Sequence, residues 1–129
     1  MKKEYVKTKY EELEVYQLAD SLSDMVWDIV IEWGHFAKDT VGKQLVRSSD
    51  SIGANIAEVS GRGSYSDYGR FIKIARGSLF ESKHWLKKAF KRKLITKKIF
   101  DEMESLINEL IPRLSAFVNY LNKRSNSIK

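Results

Sequence analysis

Apolar residues return every three or four positions along most of the chain, with polar residues filling the intervals, so the sequence reads as a series of amphipathic helices. The first is predicted over about Glu11 to Trp33, with Val15, Leu18, Leu22, Met25 or Val26, Ile29 and Trp33 on one face and Gly34 ending it. The second is predicted from Asp39, a good N-cap residue type, to about Ser60. Its inward stripe is Val41, Leu45, Ser48 or Ser49, Ile52, Ile56 and Val59, and the small row Ser49, Gly53, Ala57 predicts close approach of a neighbouring helix. The third opens on Ser64 and Asp67, arranged as a capping box, and carries Tyr68, Phe71, Ile72, Ala75, Leu79, Trp85 or Leu86, and Ala89 or Phe90 to about Lys91. Thr96 is predicted to cap the fourth, striped by Ile99, Met103, Leu106, Leu110, Leu114, Phe117 and Leu121, and Pro112 is predicted to bend it.

The connections near residues 34–38, 61–63 and 92–95 are short, which sets consecutive helices antiparallel. The expected fold is all-α: an antiparallel up-down-up-down four-helix bundle forming one domain over residues 1–129, with residues 1–9 and the polar stretch 123–129 as flexible ends. With 7 glycines and 1 proline the chain has too little punctuation for a sandwich or barrel. It has no cysteine, which excludes a disulfide framework and thiolate chemistry. The basic N-terminal stretch has no apolar segment behind it, and no run approaches the ~18 apolar residues of a spanning helix. The expected location is the cytoplasm, with no membrane association.

Charge changes the picture more than composition does. Residues 1–61 hold 7 Lys/Arg against 11 Asp/Glu, whereas residues 62–129 hold 16 against 6. Between Arg62 and Lys98, 12 basic residues face only Asp67 and Glu81. The densest part is Lys83, Lys87, Lys88, Lys91, Arg92, Lys93, Lys97 and Lys98, interleaved with His84, Trp85 and Phe90. Such a run is read either as a solvated helix face or as an electrostatic footprint for a phosphate backbone. Lys83, Lys87 and Lys91 stand four apart on one helix face, where like charges repel by a few tenths of a kcal/mol per pair. No helix-turn-helix, zinc-finger or RNA-binding sheet pattern accompanies them, so binding through this face is expected to follow the backbone with low sequence preference. The first helix has the opposite ladder, Asp20, Asp24, Asp28 and Glu32, and a carboxylate ladder beside a basic one in the same chain predicts docking between copies.

Candidate catalytic chemistry is sparse. Glu32–His35 and Glu81–His84 are Glu-x-x-His pairs of the kind that serve di-iron bundles. On the predicted helices, however, the two histidines are staggered by roughly 10 Å along the axis. Lys83 and Lys87 also flank His84, which is unfavourable for a cation. No cysteine nucleophile, nucleophile elbow or phosphate-cradling glycine loop is present. The chain is expected to be no enzyme and to need no cofactor or metal.

The segments Leu13-Glu-Val-Tyr16, Gln44 to Glu58 with Asn55-Ile-Ala-Glu58, and Tyr68 to Glu81 with Ala75-Arg-Gly-Ser78 resemble, in this order, the bacterial protein family of the 23S rRNA intervening sequence. The likeness covers about residues 10–122 and departs at Val59-Ser60 and at Gly53. The resemblance implies a left-handed bundle that assembles into a ring, commonly a pentamer. It also implies kinship with accessory subunits of retroelement reverse transcriptases. It singles out Arg47, Asn55, Glu58, Arg70, Arg76, Ser78 and Glu81. On the predicted register Arg47 falls level with Glu81, and Asn55 or Glu58 level with Arg70, so these residues are expected to fix the helix register through buried ion pairs and an asparagine. The expected function is a non-enzymatic homo-oligomer associated with RNA or DNA. The alternative is an interaction scaffold for an acidic or polymerase-type protein such as a reverse transcriptase.

Overall fold

The computed structural model describes residues 9–61 and 63–128, the last of these by its backbone only. A 3₁₀ turn, Tyr10–Glu12, leads into α1, Glu14–Val30. Gly34 heads a single turn, α2 (His35–Ala37), which passes through a π-helical turn (Lys38–Gly42) into α3 (Lys43–Ala57) and a closing 3₁₀ turn (Glu58–Ser60). Two longer helices follow, α4 (Tyr65–Lys91) and α5 (Lys97–Ile128). The described residues are thus four long helical segments with no strand.

The 3.6-residue stripes pack inward as the sequence predicts. Leu22 and Val26 of α1, Leu45, Ile52 and Ile56 of α3, Ile72, Leu79 and Leu86 of α4, and Met103, Leu110 and Leu114 of α5 are all buried in one core. α1 packs against α3 and α5, and α4 against the same two, so α1 and α4 lie diagonally. The contacts descend along one helix as they climb the next. Tyr10 meets Ser60 and Tyr16 meets Gly53 between α1 and the α3 segment. Ser51 pairs with Ser78 and Ser48 with Ser82 between α3 and α4, and Arg76 with Ser115 and Lys83 with Asn108 between α4 and α5. These neighbours therefore run antiparallel.

The helix ends follow the predicted caps in two places and depart in three. The Ser64 hydroxyl accepts from the Asp67 amide at 3.2 Å while the Asp67 carboxylate accepts from the Ser64 amide at 3.0 Å, a complete capping box. Thr96 Oγ1 accepts from the Ile99 amide at 3.2 Å at the head of α5. The second helical segment, however, starts at His35 rather than at Asp39, which sits in the π-turn. Within that π-turn the chain comes close to α1: a Cβ on Gly42 would lie 2.7 Å from Val30 Cγ1. Correspondingly α1 ends at Val30, and residues 31–33 form a turn closed by the Trp33 amide on the Val30 carbonyl at 3.0 Å. Finally, α5 passes through Pro112 and continues to Ile128, where a frayed tail was expected from Lys123. Arg124 gives that last stretch an anchor, its guanidinium lying 5.4 Å from the centre of the Tyr65 ring. Residues 1–8, expected as a flexible end, lie outside the described residues.

Candidate nucleic-acid interface

The basic stretch is mounted on the C-terminal half of α4, the loop behind it and the first turn of α5. Helical spacing brings Lys73, Gly77, Phe80, His84, Lys87 and Lys91 onto one exposed stripe. Lys83 is half-buried and donates to Asn108 Oδ1 at 2.9 Å, so it braces α4 on α5 instead of extending the outer ladder. Glu81, the nearest acid in the sequence, accepts from Trp85 Nε1 at 3.3 Å, and the His84 ring meets Trp85 edge-on at 4.8 Å. Lys97 pairs with Asp101 at 2.8 Å. Among the described residues, Lys87, Lys88, Lys91, Arg92, Lys93 and Lys98 have no carboxylate within ion-pair distance. Arg62 lies outside the described residues.

Part of this charge has a local explanation. Lys88 and Lys91 stand in the last turn of α4, where the macrodipole favours cations. Lys98 has no such excuse: it stands in the first turn of α5, where the dipole opposes it. Lys93 is more telling. α4 closes with the Leu94 amide on the Ala89 carbonyl at 2.9 Å and the Lys93 amide on the Phe90 carbonyl at 3.0 Å, the paired bonds of a Schellman cap. That cap puts Lys93 in the left-handed region, at φ 62°, where glycine is the usual occupant and a side chain costs about 1–2 kcal/mol. A lysine stands here in spite of its backbone.

The same end of the bundle carries an apolar groove of about 390 Å³ lined by Phe36, Ala37, Thr40, Val41, Arg92 and Leu94. Phe36 is 82% exposed at its edge. Thr40 Oγ1 donates to the Phe36 carbonyl at 2.7 Å, which satisfies a carbonyl in the single turn of α2. Sequence reasoning missed this groove because Phe36 and Leu94 are far apart in the chain and neither belongs to a helix stripe.

The residues singled out by the family likeness do not form buried ion pairs. Arg47 and Glu81 are both exposed and line a shared polar niche of about 170 Å³ with Gln44, Ser48, Ser51 and Ser78, but no salt bridge joins them among the described residues. Asn55 Nδ2 donates within its own helix, to the Ser51 carbonyl at 2.8 Å and Ser51 Oγ at 3.0 Å. Glu58 is exposed, and Arg70 reaches Asp67 at 3.8 Å while covering the Phe71 ring. Arg76 donates to Ser115 Oγ at 3.3 Å. Register between α3 and α4 is held by hydroxyls instead: Ser78 Oγ lies 3.0 Å from Ser51 Oγ, and the buried Ser82 Oγ 3.0 Å from Ser48 Oγ. Small hydroxyls allow the close backbone approach that a pair of long ionised side chains would block. Ser82 escaped the sequence reading, although its place between Leu79 and Leu86 marks an inward position.

On the face of the bundle diagonal to α4, α1 presents Asp20, Asp24 and Asp28 with Trp27 (55% exposed), and the turn behind it adds Ile31 (44%) and Glu32, all of them exposed. Of the small row, Ser49 is fully buried, while Gly53 and Ala57 border an open groove shared with Tyr10, Tyr16, Asp20 and Asp50. Partial burial, then the charge of Asp24, pushes the Asp50 carboxyl above its ordinary range. No group of three His, Cys, Asp or Glu side chains among the described residues is placed to hold a metal, and no described helix is long and apolar enough to cross a membrane.

What fold and surface define together is a small all-α protein with one basic end, one acidic face, and no assembled set of catalytic groups among the described residues. The chain belongs to the 23S rRNA-intervening sequence protein family, whose model matches residues 11–116. Its fold is similar to that of a crystal structure from Bacteroides thetaiotaomicron, a protein of unknown function from the S23 ribosomal protein family. The TM-score is 0.72 and the identity 22%, covering 81% of this chain and 97% of that one, a likeness of fold alone. No curated protein matches.

Proposed function

We propose that this is a non-enzymatic, oligomeric nucleic-acid-associated protein of the cytoplasm that binds RNA or DNA backbone through the basic end of α4 and the loop behind it. The observation that carries this reading is the cluster of six cations without carboxylate partners, one of them held in a backbone conformation that glycine would occupy at lower cost. The family's description names the 23S rRNA intervening sequence, which favours RNA. Flexible lysines outnumber planar donors in the cluster, so contacts fall on phosphates and sequence preference is low.

The working form is a left-handed up-down-up-down bundle that associates with further copies into a ring. Trp27 and Ile31, exposed among the carboxylates of α1, provide an apolar centre for that contact, since exposed ion pairs alone contribute only about 0–1 kcal/mol each. Lys83, engaged with Asn108, takes no part; Lys73, Ile74 and Phe80 on α4 give an exposed counterface.

Titration of mixed-sequence oligonucleotides at low salt tests the binding, and reversal of Lys87, Lys88, Lys91 and Arg92 to Glu abolishes it without changing the helical circular-dichroism signal. No binding by the wild-type protein at high micromolar concentration overturns the reading. Light scattering tests assembly: a mass near the 15.0 kDa of one chain at high concentration overturns the oligomer, and Trp27→Arg is expected to dissociate it.

A further inference from the structure

We infer that the apolar groove at the basic end receives an unstacked base of a single strand, so that the protein prefers single-stranded nucleic acid to duplex. The inference rests on the nucleic-acid reading above and names the form of the ligand. Proteins that hold single strands without reading sequence combine a cationic track for the backbone with an aromatic platform for a base. Both parts meet here. Arg92 is at once a member of the unpaired cation cluster and a wall of the groove, and Phe36 offers its ring at the edge, 82% exposed. The backbone beneath the platform is braced. The Phe36 carbonyl accepts from Thr40, and the π-turn that follows comes close to α1 at Gly42. Such π-turns recur at functional sites.

The lining also predicts how a base is treated. Ala37, Val41 and Leu94 have no polar side-chain atoms and the Thr40 hydroxyl proton is already donated, so Arg92 is the one side-chain donor left to a base edge and the groove discriminates little between bases. At about 390 Å³ it is near the lower end of the ~300–1,000 Å³ usual for small-molecule sites. A duplex keeps its base faces stacked inside and can engage only the cations. A protein segment is the poorer occupant, because protein interfaces are depleted in lysine whereas this groove opens onto a lysine cluster.

Fluorescence anisotropy tests the inference with a labelled oligonucleotide of about 12 nucleotides, within the usual site size, beside its blunt duplex and an abasic version of the single strand. At matched salt the single strand is expected to bind more tightly than the duplex. Phe36→Ala is expected to weaken single-strand binding roughly 5- to 150-fold, the range for loss of one stacked base. Duplex affinity and the salt slope stay unchanged, and Phe36→Trp retains the preference. Equal affinity for strand and duplex, or an abasic strand bound as tightly as the intact one, overturns the base site while leaving the nucleic-acid reading in place. Absence of binding to every oligonucleotide overturns both. Displacement from the groove by an aromatic peptide flanked by carboxylates, sensitive to Phe36→Ala when strand binding is not, assigns the groove to a protein and overturns the inference.

Discussion

Ser48 and Ser82 bring their hydroxyl oxygens to 3.0 Å inside the α3–α4 interface, each from a side chain with almost no exposure. Each also has a fallback on its own helix, Ser82 to the Ser78 carbonyl at 2.9 Å and Ser48 to the Leu45 carbonyl at 3.2 Å. Loss of one hydroxyl therefore leaves the other satisfied, and Ser48→Ala or Ser82→Ala is expected to cost about 0.5–1.5 kcal/mol. The double alanine variant should cost less than the two singles together, a coupling that a thermal-denaturation cycle measures. Ser48→Leu is a different perturbation: it forces carbon into a packed crossing and is expected to cost about 1–3 kcal/mol.

Two glycines are expected to respond to alanine with opposite signs. Gly77 lies on the exposed stripe of α4 with nothing near the position a Cβ would take, so Gly77→Ala should raise stability by about 0.4–1 kcal/mol through helix propensity and chain entropy. Gly42→Ala drives a Cβ to 2.7 Å from Val30 Cγ1 and 3.2 Å from the Ala37 carbonyl, and a loss of about 1–3 kcal/mol is expected. Denaturant midpoints of the two variants give the comparison.

Lys93→Gly is expected to separate stability from binding. Removing the side chain from its left-handed backbone should raise the melting temperature, by up to the equivalent of ~1 kcal/mol. The same change removes a phosphate partner, so affinity for oligonucleotides should fall and the slope of log K against log salt should shrink by about 0.7–0.9. A variant both more stable and equally tight would show that Lys93 faces no phosphate.

The α1–α3 groove gives a pH signature. The Asp50 carboxyl is raised above its unfolded value of 3.8 by burial and then by Asp24, so the folded protein holds this proton more firmly than the unfolded chain. The associated stability is present below the unfolded pKa and is lost as pH rises through the folded one. Asp50→Asn should therefore melt slightly higher than wild type at pH 7, and the difference should vanish near pH 3. Melting curves at both pH values check the sign.

The helix stripes were legible because burial obeys period: Leu22, Ile52, Leu79 and Leu114 fall inward wherever a 3.6-residue repeat is extended through them. The Ser64 and Thr96 caps were legible for the same local reason. Asp39 misled because a good cap residue type marks only a local preference, whereas the helical backbone already begins at His35 behind Gly34 and carries Asp39 inside its π-turn. The lysine cluster was visible as composition, but not which members have partners: Lys97–Asp101 is a local i,i+4 pair, whereas Lys83 finds Asn108 only through the packing of α4 on α5. Arg47 and Glu81 do share one niche, as their levels suggested, yet both are exposed, so neither needs the ion pair that burial would have required.

The diagonal placement of α1 and α4 has a kinetic meaning. With no seam to α4, α1 packs only on α3 and α5, each seam thinner than the one α4 makes with the same helix, and its seam with α5 closes most of the chain length. Among the described residues, the ion pair that ties α1 to α5, Glu14 with Arg113 at 3.1 Å, is exposed and contributes little. α1 is thus the element expected to dock last and to release first, with amide protection lower than in α4. Its acidic, Trp27-bearing face is carried by that releasing element. Whatever occupies that face acts as a clasp on the bundle, and its concentration sets the temperature at which the chain opens.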